Sequence, residues 1–245
     1  MYTVFLSPST QEFNPYVTVG NEELWANRIA DAMEPYLRST GISYVRNDPS
    51  QPVTGSIAQS NAGQYDVHLA LHTNAAGPAN AGRVRGADAY YYPGSAAGQR
   101  LADILVENYK RIYPLPDLVR AIPTTRLAEV ARTRAPAVLF ELAYHDNVED
   151  ANFITGNVDR IARNLVQSLA QYFGIPFIDT VPPRQGHVRT MGGALNVRNK
   201  PSTEGAVIGQ IPNGSIVTVQ GRTGDWYVVT YDGLTGYAAA RYIVG

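Results

Sequence analysis

The chain contains no cysteine among its 245 residues, which excludes disulfide bonds and metal sites built on thiolates. No stretch approaches the roughly 18 apolar residues of a membrane-spanning helix, so no membrane span is predicted. A large charge excess is also missing: the net charge is −1 at pH 7, which argues against binding to nucleic acid. A length of 245 residues is enough for one large domain, or for a main domain with a small module.

The N-terminus lacks the basic region and the apolar core of a secretory signal peptide. The segment 1–8, MYTVFLSP, instead predicts a first β-strand. We therefore expect that the chain either is not exported by that route or has been trimmed.

Up to residue 178 the sequence alternates between apolar and amphipathic segments. The apolar segments predict β-strands, several of them buried on both faces; they cover 4–6, 43–45, 67–71, 87–92 and 137–140. The amphipathic segments predict helices over 22–39, 96–113 and 158–173. This alternation predicts a layered α/β domain over residues 1–178, with a largely parallel sheet and flanking helices.

The composition changes after this domain. Residues 179–186 contain paired prolines and predict an extended linker. Residues 187–245 carry short β-rich runs separated by turn residues at intervals of roughly 8–12 residues, which predict a small all-β barrel or sandwich.

Two of the predicted buried strands end in side chains capable of chemistry. The run 138–140 leads directly into Glu141, and the run 69–71 leads into His72. A carboxylate at the end of an apolar strand is costly unless it is paired, bound to a metal or used. Since sites in α/β proteins are built at strand ends, we predict an active site at this edge of the sheet.

Without cysteine or a recognisable activated serine, a metal is the natural means of activating water for amide hydrolysis. A catalytic zinc takes about three protein ligands and leaves a position open for water, and a nearby carboxylate moves the proton. His72 is one candidate ligand. His68 lies four residues earlier, about 13 Å along the strand, and is expected to be a buried, hydrogen-bonded histidine instead.

Further ligand candidates flank these strands. Glu22 falls on the inward face of the first predicted helix, which favours it over Glu23, whose charge suits the helix N-terminus without any other role. His145 follows the strand that carries Glu141. It is either a ligand or proton donor, or a loop histidine that bonds to the backbone.

Taken in order, these segments resemble the zinc-dependent N-acetylmuramoyl-L-alanine amidases over roughly residues 3–177. The residues that carry the resemblance are Glu22, Val45-Arg46, Asn61, Asp66, the run 71–75, the run 136–141 and Asn147. The resemblance implies a peptidoglycan hydrolase that cleaves the amide bond between N-acetylmuramic acid and L-alanine. It implies that Glu141 is catalytic, that zinc is bound by Glu22 and His72, and that Arg46 and Asn74 contact the substrate.

One feature of that family is missing, because Thr10 stands at or near the position of its first histidine ligand. Three outcomes stay open: His145 replaces the lost ligand, the metal is held weakly with the help of waters, or the domain binds the wall without catalysis. An active enzyme with Glu22, His72 and His145 as zinc ligands is favoured, since Glu141 and His72 otherwise have no reason to stand at strand ends.

Residues 187–244 resemble a bacterial SH3 (SH3b) module, on motifs that include the runs 195–198, 212–214, 224–227 and 233–237. Such a module implies targeting to the cell wall, with Trp226, Tyr227 and Tyr237 as contact candidates, although a core position is favoured for Trp226. The expected partner is peptidoglycan, and the expected location is the bacterial cell wall or the extracellular space. The alternative functions are a catalytically impaired peptidoglycan-binding protein and a zinc peptidase on the same fold.

Overall fold

A computed structural model describes residues 2–245. They form two compact units, one of residues 3–33 and 44–172, the other of residues 2, 34–43 and 173–245. The elements up to residue 173 are β1 (Thr3–Pro8), α1 (Glu22–Thr40), β2 (Ser43–Arg46), α2 (Val53–Ala62), β3 (Val67–Asn74), β4 (Ala87–Tyr91), α3 (Ala96–Tyr109), β5 (Val119–Pro123), α4 (Ala128–Ala131), β6 (Ala137–Tyr144), α5 (Val148–Gly156) and α6 (Val158–Phe173).

The strands β1 to β6 form one sheet in the order β2-β1-β3-β6-β4-β5. The pairs β1–β3, β3–β6 and β4–β5 are parallel, whereas β4 and β6 are antiparallel. The predicted α/β sheet with flanking helices is confirmed, and the sheet is mixed rather than purely parallel. The reason lies in the segment between β3 and β4, which contains no crossover helix and so returns the chain in the opposite direction.

The helices begin where local caps favour them. Ser95 Oγ accepts a hydrogen bond from Gly98 N at the start of α3, and Asn147 Oδ1 accepts one from Glu149 N at the start of α5. Helix α3 ends at Tyr109, four residues before the predicted end.

Within the described residues, no helix combines the length and the apolar content needed to cross a membrane.

The second unit contains the strands β7 (Arg184–Val188), β8 (Leu195–Arg198), β9 (Val207–Ile211), β10 (Ile216–Thr223), β11 (Trp226–Tyr231), β12 (Leu234–Ala239) and β13 (Ile243–Val244). They form a second sheet in the order β13-β7-β10-β11-β12-β8-β9, and its pairs are antiparallel. Tyr237 is buried, and its hydroxyl donates to Thr40 O at 2.5 Å. Tyr237 is therefore a core residue of this unit, whereas Trp226 and Tyr227 are partly exposed.

Candidate active site

The candidate site begins where β3 and β6 run side by side. His72 of β3 pairs in register with Glu141 of β6, and Asp88 of β4 pairs with Glu141 from the other side. Side chains paired in register project from the same face of a sheet. The two strand-end residues that the sequence singles out therefore lie together on one face.

His72 is buried between two carboxylates. Its Nδ1 lies 2.8 Å from Glu22 Oε1, and its Nε2 lies 3.0 Å from Glu129 Oε2. Burial opposes a charge on the ring, but the hydrogen bonds to Glu129 and Glu22 outweigh it and raise the pKa of His72 well above its ordinary value. The ring is thus an imidazolium that donates from both nitrogens.

Glu129 extends this cluster towards the interior. Its Oε1 lies 3.2 Å from His68 Nε2 and accepts a hydrogen bond from Ser7 Oγ at 2.5 Å. Burial favours its protonated form, yet the hydrogen bonds from His68 and His72 hold the pKa of Glu129 far below its ordinary value. Sequence patterns miss Glu129 because α4 has only four residues, too few for a periodic signal.

His68 is hydrogen-bonded both to Glu129 and to Ser60. The residue is fully buried, and its Nδ1 lies 2.9 Å from Ser60 Oγ. It therefore occupies the buried, hydrogen-bonded position that its place on the strand predicts.

Glu22 is the first residue of α1 and is buried, in keeping with its predicted inward face. Its Oε2 accepts a hydrogen bond from Asn14 Nδ2 at 2.7 Å. Burial alone would raise its pKa, but the hydrogen bond from His72 leaves the pKa of Glu22 below its ordinary value. Glu23, by contrast, lines a cleft and bonds with Asn27 on its own helix.

Glu141 differs from the other acids around His72. Its Oε2 is buried and has no hydrogen-bond partner among residues 2–245. Burial raises the pKa of Glu141 to about 7, an effect that the His72 charge opposes and that Glu22, Asp88 and Glu129 reinforce. A carboxyl group with a pKa near neutrality that lines a cleft is suited to take up and release a proton.

His145 lies apart from this cluster. Its Nδ1 is 2.9 Å from Thr73 O, and its ring stacks on Tyr16 with 5.5 Å between centroids. In the part of the chain that the structure describes, no three His, Cys, Asp or Glu side chains are placed to hold a metal ion. The structure thus joins Glu22 to His72 but does not bring His145 to them.

Arg46 and Asn74, the two predicted substrate contacts, are not among the residues that line the cleft beside His72 and Glu141. Arg46 donates from its guanidinium to Asp31 Oδ1 and to Asn27 Oδ1, each at 2.8 Å. Asn74 Oδ1 accepts a hydrogen bond from Ala75 N at 2.8 Å. Both side chains thus have structural bonds, and substrate contact by either one stays a prediction.

The open side of the cluster is a cleft of about 840 Å³. His72, Glu129 and Glu141 reach its floor, while Phe13 and Arg126 stand in its wall. Phe13 is 73% exposed. A cleft with an apolar surface, one guanidinium and an acid at its floor can bind a peptide-like molecule and move a proton within it.

Comparison with protein families gives two matches. A family model described as N-acetylmuramoyl-L-alanine amidase matches residues 17–171, and one described as bacterial SH3 domain matches residues 193–244. A comparison with curated proteins gives no match.

Solved structures similar to this chain include three amidases. The amidase AmiC2 of Nostoc punctiforme is 17% identical, with a TM-score of 0.60, over 71% of this chain and 97% of that one. The CwlD amidase from Clostridioides difficile, in complex with the GerS lipoprotein, is 14% identical, with a TM-score of 0.63, over 71% and 99%. The catalytic domain of CwlV from Bacillus (Paenibacillus) polymyxa var. colistinus is 16% identical, with a TM-score of 0.60, over 72% and 100%.

Proposed function

The chain belongs to the N-acetylmuramoyl-L-alanine amidase family, and on this premise we propose that Glu141 is the proton-transfer residue of a peptidoglycan amidase. The predicted family, the bacterial SH3 module and the function as a peptidoglycan amidase are confirmed. The observation that carries the role of Glu141 is its unpartnered Oε2, with a pKa near 7, at the floor of the cleft.

In the proposed reaction, ionised Glu141 accepts a proton from a water molecule as the water oxygen attacks the lactyl carbonyl carbon. The carbon–nitrogen bond then breaks, and Glu141 returns the proton to the departing L-alanine nitrogen. The products are a muramoyl carboxylate and a stem peptide with a free N-terminus. The positive charge of His72 favours the ionised form of Glu141, which helps the first of these steps.

The walls of the cleft suit a glycopeptide. Arg126 supplies a cation to the cleft lining that can pair with a stem-peptide carboxylate, and the exposed ring of Phe13 offers an apolar face to a sugar or a side chain. We assign substrate binding to these two residues in addition to the predicted Arg46 and Asn74.

The family is generally zinc-dependent, and zinc is the predicted cofactor, with Glu22, His72 and His145 as its predicted ligands. A catalytic zinc takes about three ligands of the imidazole, carboxylate or thiolate type. Both ring nitrogens of His72 are engaged by carboxylates, and within residues 2–245 His145 does not complete a group of three with Glu22 and His72 that could hold an ion. The donors present do not fit a zinc centre, and no step of the proposed reaction passes through a metal.

The bacterial SH3 module is assigned to hold the enzyme on its substrate. Trp226 and Tyr227 begin β11 and are partly exposed, so both rings can contact a wall peptide or glycan. Peptidoglycan is then the partner of both units, and the place of action is the bacterial cell wall or the extracellular space.

The test is product analysis on purified peptidoglycan. Intact stem peptides with a new N-terminal alanine should be released by the wild-type chain and not by Glu141→Gln. Glu107→Gln is the matched control, since Glu107 is exposed and pairs with Lys110. Fragments cut within the stem peptide would identify a peptidase instead, and wall binding without any release would identify a non-catalytic binding protein.

A further inference from the structure

Three polar side chains, those of Gln11, Asn14 and Glu22, form a hydrogen-bonded group beside Nδ1 of His72. Gln11 Nε2 lies 3.4 Å from this nitrogen, and Glu22 Oε1 lies 2.8 Å from it. Asn14 Nδ2 links the other two residues, since it donates to Gln11 Oε1 at 3.2 Å and to Glu22 Oε2 at 2.7 Å. We call Gln11, Asn14, Glu22 and His72 the Gln11 corner.

The other ring nitrogen of His72, Nε2, is hydrogen-bonded to Glu129. Nε2 lies 3.0 Å from Glu129 Oε2, and the two nitrogens of an imidazole point away from each other. A metal at Nδ1 would therefore be out of reach of Glu129, and a metal at Nε2 out of reach of Glu22. The two carboxylates that bind His72 cannot serve one ion together with it.

The Gln11 corner by itself offers a poor donor set for zinc. It contains one imidazole nitrogen, one carboxylate and two amides, whereas catalytic zinc sites combine about three imidazole, carboxylate or thiolate ligands. Amide oxygens suit harder cations such as calcium or magnesium. Each oxygen of Glu22 already accepts a hydrogen bond, so this carboxylate is satisfied without a metal.

We propose that this chain holds no zinc at His72, and that Gln11 occupies the position from which a third zinc ligand would act. The Gln11 corner fixes Glu22 and His72 through hydrogen bonds where an ion would otherwise fix them. The inference rests on the proposed function for the role of the cleft. Zinc content is measured without reference to wall hydrolysis, so the two can fail separately.

The test compares three full-length chains: wild type, Gln11→His and Gln51→His. Gln11→His adds an imidazole beside Nδ1 of His72, whereas Gln51→His adds one elsewhere in the lining of the same cleft. Each chain is incubated with excess zinc, passed through a desalting column and analysed for bound metal. We expect about one zinc per chain in Gln11→His, and below about 0.1 in the other two.

Thermal unfolding gives a second readout that does not depend on activity. Zinc at about 100 times its dissociation constant should raise the Tm of Gln11→His by roughly 5 °C or more, because a ligand stabilises the state that binds it. The Tm of wild type should stay unchanged on addition of zinc or EDTA. Adding His72→Asn to Gln11→His should abolish both the bound zinc and the shift.

Two results would overturn the inference. If wild type retains about one zinc per chain and loses it in His72→Asn, the Gln11 corner is a metal site after all. If wild type and a folded Gln11→His chain, verified by circular dichroism, both stay free of zinc, Gln11 does not occupy the ligand position. The wild-type measurement decides the first point even if Gln11→His fails to fold.

Discussion

Of the three acids around His72, Glu129 and Glu141 have pKa values that are shifted in opposite directions. On the α4 side, Glu129 receives hydrogen bonds from His68, His72 and Ser7, and its pKa is far below the ordinary value. On the β6 side, Glu141 has an Oε2 without a partner in the described chain, and its pKa is raised to about 7. Burial acts on both groups in the same direction, so the hydrogen bonds decide the difference. Glu129 is thereby suited to structure, and Glu141 to proton transfer.

The strongest test of this contrast is Glu141→Gln. The change removes the group that accepts the proton, so kcat/KM on peptidoglycan should fall by about 10²–10⁴. The amide keeps the size of the side chain, and circular dichroism should show an unchanged fold. Activity within about twofold of the Glu107→Gln control would contradict the assignment.

Glu129→Gln should have its main effect on stability. An amide cannot compensate the charge of His72 or accept hydrogen bonds as strongly from His68 and Ser7, and breaking a buried ion pair costs about 3–5 kcal/mol. The free energy of unfolding is measured in urea against wild type and Glu107→Gln. A loss below about 1 kcal/mol would mean that hydrogen bonding does not set the two acids apart.

The raised pKa of Glu141 predicts a pH-dependent cost to stability. Its carboxyl has an ordinary pKa of 4.5 and a pKa of about 7 in the folded chain. Folding therefore gains stability from the protonated group below pH 4.5, and that gain is lost as the pH rises through 7. Glu141→Gln does not titrate, so its stability relative to wild type should increase between pH 4.5 and pH 8, by up to about 3 kcal/mol. A constant difference across this range would contradict the raised pKa.

The same pKa predicts the acid limb of the activity profile. Since only the ionised form of Glu141 can accept a proton, kcat/KM should rise with pH up to about 7 and then level off. At pH 5 the rate should be roughly 100-fold below the plateau, as follows from one proton and about two pH units. If kcat/KM instead rises around pH 4.5, the rise reports the titration of another group. The same holds if the rise near pH 7 persists in the residual activity of Glu141→Gln.

Much of the fold follows from periodicity. The apolar runs before His72 and Glu141 form β3 and β6, and the helix predicted from residue 22 begins there. Antiparallel pairing of β4 with β6 is not visible in the sequence, because it depends on the path of the segment between β3 and β4. The module boundaries at residues 178 and 187 stay a prediction.

The residues of the candidate site also differ in how far the sequence predicts their positions. Glu22, His72 and Glu141 are found from strand ends and from a helix face, since those patterns fix the direction of a side chain. His145 is close to Glu141 in the sequence, yet its ring turns to Thr73 and Tyr16 instead of His72. Nearness along the chain does not determine the direction of a side chain after a strand ends.

By itself, the sequence determined the layered α/β unit, the SH3-like module and the acid and histidine at neighbouring strand ends, because periodicity and composition are local properties. Only the tertiary structure decided what surrounds His72. Glu129 lies 57 residues from it along the chain, and Gln11 lies 61 residues from it. Both stand in segments without periodic pattern, so the folded chain alone makes them partners of His72. Those contacts separate an acid held ionised from one whose pKa is about 7.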